Sequence, residues 1–108
     1  MSQEFAVIVK GEDKVLNIYL KNSDGSPYDL TGSTITVRFP KTPTTSLDVS
    51  GTIVTAAAGH LSVTLSDTNT ATLQVGDSQS IEVQLVVGSI TTIAQIDNAV
   101  SIRKSLYT

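Results

Sequence analysis

Ser80-Ile81-Glu82-Val83-Gln84-Leu85-Val86-Val87-Gly88-Ser89-Ile90-Thr91-Thr92-Ile93-Ala94-Gln95-Ile96 is the stretch that decides the fold. Ile81, Val83, Leu85 and Val87 alternate with Ser80, Glu82, Gln84 and one exception, Val86. A period of two places alternate side chains on opposite faces of a strand, one toward a core and one toward water. Val87-Gly88-Ser89-Ile90 then reads as a two-residue hairpin with glycine first, the requirement of a type II′ turn. Between Glu82 and Asp97 no charged residue occurs, and both faces are apolar in places. A one-sided sandwich strand needs less apolar surface than this. Two readings stay open: a central hairpin covered by the chain's own strands, or a hairpin that partly faces a neighbouring subunit. The candidate interface residues are Val86, Ile90, Ile93, Ile96, Ile102 and Leu106.

The same alternation extends outward. Ile35, Val37 and Phe39 alternate with Thr34, Thr36 and Arg38, and Leu61, Val63 and Leu65 with Ser62, Thr64 and Ser66. Leu16, Ile18 and Leu20 repeat the pattern, and the Val/Ile/Thr bias favours pleated strands over helix. Turn residues divide these runs at 10–13, 22–27, 31–32, 40–43, 58–60 and 88–89. Strands are expected at 4–10, 14–21, 33–39, 47–55, 60–66, 80–87, 90–96 and 99–106. Asp67 to Leu73 breaks the alternation behind Ser66, and predicts one short helical or 3-10 turn with Leu73 plugging the end of the core. The expectation is an all-β, immunoglobulin-like antiparallel β-sandwich of seven to eight strands, with one short helical turn near 67–73. It fills a single domain, 1–108.

Composition narrows the chemistry. A chain of 108 residues can bury one core, at roughly 65% of its open-chain surface. Charged residues are 16% and aromatics 5%, with no Cys and no Trp. Disulfide scaffolds and thiol-ligated metal sites are thereby excluded. A net charge of −3 disfavours general nucleic-acid binding and anionic-membrane binding. No apolar run approaches a membrane span or a signal core. The expectation is a protein made in a cytoplasm, using no nucleic acid and no membrane.

Two stretches are similar to the N-terminal β-sandwich domain of the phage baseplate upper protein family and related tail-associated virion domains. They are Val9-Lys10-Gly11-Glu12-Asp13 with Asp24 to Ile35, and Gly59-His60-Leu61-Ser62-Val63-Thr64-Leu65 with Asp67 to Ala71 and Leu73 to Gly76. The resemblance covers roughly residues 5–90. Asp29-Leu30-Thr31-Gly32 within it has a physical reading: Leu30 tucks inward and Gly32 permits the bend into the next strand. The resemblance implies a structural virion protein of a tailed phage, in a baseplate, tail or fibre-attachment role, located in the virion and partnered by other virion proteins. A small stand-alone subunit that forms a homo-oligomer within the assembly is the closer implication.

Candidate chemistry is sparse. His60 is the sole imidazole, at a turn, without a nucleophile motif, and reads as a solvated turn histidine. Asp24, Asp29, Asp67 and Asp77 fall in loops, where Asp ordinarily caps turns; a calcium loop would need a later bidentate Glu. Lys10, Lys14 and Lys21 are interrupted by Glu12 and Asp13 and read as a solvated edge. No catalytic residue, cofactor site or metal site is expected, and the function expected is non-enzymatic assembly. A capsid decoration subunit, or an adhesin or carbohydrate-binding module, is the alternative. The latter would need two of Tyr19, Tyr28 and Tyr107 clustered beside Asp or Asn.

Overall fold

The computed structural model describes residues 6–41 and 45–104. The alternating segments form β1 (Ala6–Val9), β2 (Lys14–Tyr19), β3 (Thr34–Pro40), β4 (Ser46–Thr55), β5 (His60–Leu65), β6 (Gly76–Val87) and β7 (Ile90–Arg103). A 3-10 turn at Ala56–Ala58 and a helix α1 (Asp67–Ala71) complete the elements. The seven strands hydrogen-bond in the order β1-β7-β6-β3-β4-β5-β2. This single series bends over into two layers, because β4 belongs to both. Its Ser46–Ser50 half pairs with β3, and its Gly51–Thr55 half pairs with β5. Gly51 sits at the crossing, where an added Cβ would lie 2.7 Å from Ile35 Cγ2. A side chain at that corner would displace a buried β-branched residue.

Alternation fills the space between the layers. Ile35, Val37 and Phe39 from β3 and Ile81, Val83 and Leu85 from β6 face Leu16, Ile18, Leu61, Val63 and Leu65 of the other layer, all buried. Leu20, Leu30 and Leu73 close the ends of this core. Leu30 is fully buried, and Gly32 behind it takes φ +78°, as the bend into β3 requires.

Helix α1 ties the two outermost strands together. Ser66 caps it by accepting a hydrogen bond from the Asn69 N–H, while the Asn69 side chain accepts from the Ser66 N–H. This reciprocal pair satisfies two of the donors that a helix start leaves open. Thr70, fully buried, accepts from Gly11 N–H at 3.0 Å and donates to the Glu12 carbonyl at 2.6 Å. Asp13 in turn accepts from the Asp67 N–H at 2.7 Å. The turn joining β1 to β2 is thereby held against α1.

The strand pattern differs from expectation in two ways. In place of separate strands at 90–96 and 99–106, Ile90–Arg103 is continuous, and the described residues form seven strands, within the seven to eight expected. Between Ile81↔Ile96 and Gln79↔Val100, β7 contributes more residues than β6. The Asp97–Ala99 segment is a bulge that keeps pairing alive through a polar pair of residues. The sandwich is also not wholly antiparallel, since β1 runs parallel to the end of β7, with Ala6↔Val100 and Val9↔Arg103 in register. The portions of the expected end strands at 4–5 and 105–106 lie outside the described residues.

Candidate interaction surface

The β6–β7 hairpin runs beyond the core that its own base helps to build. Val83 and Leu85 are buried, yet Val87, next on the same face, is 47% exposed. Gly88, at φ +61°, opens the two-residue turn, and Ile90 beyond it is 70% exposed. On the opposite face, Val86 is half-buried and Ile93 is 52% exposed. The registers Val86↔Thr91 and Gln84↔Ile93 make Val86 and Ile93 diagonal neighbours there. The hairpin end therefore offers apolar surface on both sides.

The remaining expected interface residues are placed differently. Ile96 is partly buried and packs on the core. Ile102 is 1% exposed and belongs to the core itself. Its register opposite Ile8 of β1 turns it inward under a covering strand, so it is spent inside the chain. Leu106 lies outside the described residues.

An open strand edge accompanies the exposed side chains, and periodicity could not show it. One flank of β7 is lined by β6, and among the described residues β1 covers the other flank at Val100–Arg103. Among the described residues, no strand pairs with Ile90–Ala99 on that side. Edges are usually blunted by charge, proline or brevity. The far edge of the series, β2, has six residues, begins at Lys14 and is followed by Lys21. The open stretch of β7 has no charge before Asp97, and no proline or glycine.

Polar features elsewhere resolve into local structure. His60 is not the solvated turn residue expected: it opens β5 and stacks on Tyr19 with ring centroids 4.2 Å apart and 18° between planes. Its Nε2 lies 3.0 Å from Asn17 Oδ1. The register Tyr19↔His60 brings these rings together, a pairing invisible before the strand partners are known. Tyr28 packs instead against the core, and Tyr107 lies outside the described residues.

Arg38 and Asp48, cross-strand partners in β3 and β4, form a two-pronged ion pair at 2.7 and 3.0 Å. The guanidinium holds the Asp48 carboxyl below its ordinary range, and the carboxylate raises Arg38. With Thr36, Glu82, Gln84 and Ile93, Arg38 lines a shallow depression on this outer face. Asp24 and Asp29 are lowered by hydrogen bonds from the hydroxyl and N–H of Ser26 and Thr31 respectively. Asp67 accepts from the Thr68 N–H, and Asp77 pairs with Arg103 at 3.3 Å. Among the described residues, no three His, Asp or Glu side chains group as a metal site would require.

No family model matches the chain, and no curated protein does.

Proposed function

We propose that this protein is a non-enzymatic structural subunit that works through protein–protein contacts, as a tail, baseplate or fibre-attachment component of a tailed phage. The observation that carries the assembly reading is the β6–β7 hairpin, with Ile90 and Ile93 exposed on a segment free of charge. Interface centres are depleted of charge and enriched in apolar surface in this way. The phage setting rests on the resemblance of the Val9–Asp13, Asp24–Ile35 and Gly59–Gly76 stretches, and on nothing else. Mass spectrometry of density-gradient-purified particles of the encoding phage tests it. Stoichiometric presence with the tail fraction supports the placement; presence with capsids alone makes it a decoration subunit. Absence from purified particles overturns the virion reading.

The carbohydrate-binding alternative has one observation in its favour, although no second tyrosine joins Tyr19 among the described residues. The exposed Tyr19 ring on edge strand β2, stacked on His60 and beside Asn17, is an aromatic face next to a polar amide. Such a face suits the apolar side of a sugar ring. Binding on a glycan array that is lost in Tyr19→Ala would establish a carbohydrate-binding module.

A further inference from the structure

The open edge of β7 carries a symmetric pattern. From Ile90 to Ile96 the residues are Ile-Thr-Thr-Ile-Ala-Gln-Ile, with isoleucine at the centre and three positions to either side. A strand paired antiparallel with its own copy meets itself reversed, so a palindromic pattern is self-complementary under a two-fold axis. We propose that β7 pairs with β7 of a second copy, antiparallel and centred on Ile93, joining two sandwiches through one continuous sheet. This rests on the assembly reading above and specifies its partner and register.

Backbone phase is compatible with that centre. A two-residue hairpin closes on a pair that exchanges hydrogen bonds, here Val87 and Ile90. The N–H and C=O groups of Ile90, Thr92, Ala94 and Ile96 therefore turn toward β6, and those of Thr91, Ile93 and Gln95 turn to the open side. Centring on Ile93 sets Ile93 opposite Ile93 and Thr91 opposite Gln95, so every outward group meets an outward group. About six backbone hydrogen bonds result. A register slipped by one residue, which puts the axis midway between two residues, would set outward groups against inward ones and opposite faces together. Among the residue-centred axes that remain, the spacing of Ile90, Ile93 and Ile96 selects Ile93.

Side chains agree with the same register. Ile90 of one copy falls opposite Ile96 of the other, on one face, and Thr92 opposite Ala94. Ile90 is 70% exposed in the single chain, and this pairing covers it with the partly buried Ile96 of the second copy. Ser89 falls opposite Asp97, so no like charges meet, although each copy has net charge −3. A third copy cannot add to the used edge, so the pairing is closed. Open-ended fibre growth, the hazard of a long uncharged edge, is thereby avoided.

Sedimentation of the full chain across a dilution series reads the dimer, and cysteine pairing reads its register, in a protein with no cysteine of its own. Ile93→Lys sets two ammonium groups face to face on the axis and is expected to weaken the dimer at least about tenfold, with unchanged circular dichroism. Ile90→Cys mixed with Ile96→Cys is expected to give a disulfide-linked dimer, since the paired Cα atoms lie about 4.5 Å apart. Either variant alone stays unlinked, its copy being about 20 Å away along the strand. Thr92→Cys mixed with Ala94→Cys is the second pair, in case Ile96→Cys disturbs the core. A monomer at every concentration, or cross-linking of Ile90→Cys with itself, overturns the proposal. A monomer still found in purified particles would overturn this dimer alone, whereas a dimer absent from particles would overturn only the phage placement.

Discussion

Two glycines that share a positive φ have opposite surroundings. Gly59 and Gly88 both take positive φ, +67° and +61°. An added Cβ at Gly88 meets nothing within 4 Å, whereas at Gly59 it would lie 2.3 Å from the Leu20 carbonyl and 2.9 Å from that of Tyr28. Both substitutions strain the left-handed backbone, by about 1–2 kcal/mol. Only Gly59→Ala adds a collision with main chain that cannot rotate away. Urea unfolding is expected to show Gly59→Ala destabilised by more than about 2 kcal/mol and clearly beyond Gly88→Ala. Charge at the residue scale acts through pH. Asp48 is lowered in the folded chain by the Arg38 hydrogen bonds, so its stabilising effect is fully present above the unfolded carboxyl value, about 3.9. It is lost as pH falls through the lower folded value. Asp48→Asn should therefore flatten the acid limb of stability measured by urea midpoint below about pH 4. The difference should shrink in high salt, because the pair is half-exposed.

At the scale of elements, one consequential contact is made by the five-residue helix α1. Thr70 serves two adjacent residues of the β1–β2 turn, accepting from the Gly11 N–H and donating to the Glu12 carbonyl. Thr70→Val keeps the shape and leaves those two groups without their partner. Loss of about 1–3 kcal/mol is expected, seen as a lower urea midpoint at unchanged slope. How far the elements can be read from sequence depends on what determines each one. Strand cores and turns such as Leu61–Leu65 and Asn22–Pro27 are set by alternation and by residues with local preferences, and these lie where expected. The helical turn is legible because Ser66 and the residues after it carry capping chemistry locally. The bulge at Asp97–Ala99 reads as a break, since a polar pair between apolar runs looks the same in either case. The parallel β1–β7 pairing and the Tyr19–His60 stack depend on partners far apart in sequence, which no local pattern encodes. Of the site, the exposed residues Ile90 and Ile93 are legible from an excess of apolar faces. The inward turn of Ile102 is not, because a strand apolar on one face looks alike whether that face meets the chain's own core or another's.

For the whole molecule, measuring 41 × 27 × 25 Å, the path of the chain decides how force would travel. Strands β1 and β7 lie side by side and parallel, Ala6 beside Val100 and Val9 beside Arg103. Tension applied through these two strands pulls β1 back toward its start and β7 onward toward its finish. The two are then dragged past each other lengthwise, and all their hydrogen bonds resist together. The β6–β7 hairpin gripped at Val87 and Ile90 is the opposite case, where pairs separate in succession from the turn inward. Single-molecule stretching should show a higher rupture force for handles at Ala6 and Arg103 than for handles at Val87 and Ile90. Placed in line within a particle that must withstand pulling, this subunit would be strongest along the axis that its first and last strands share.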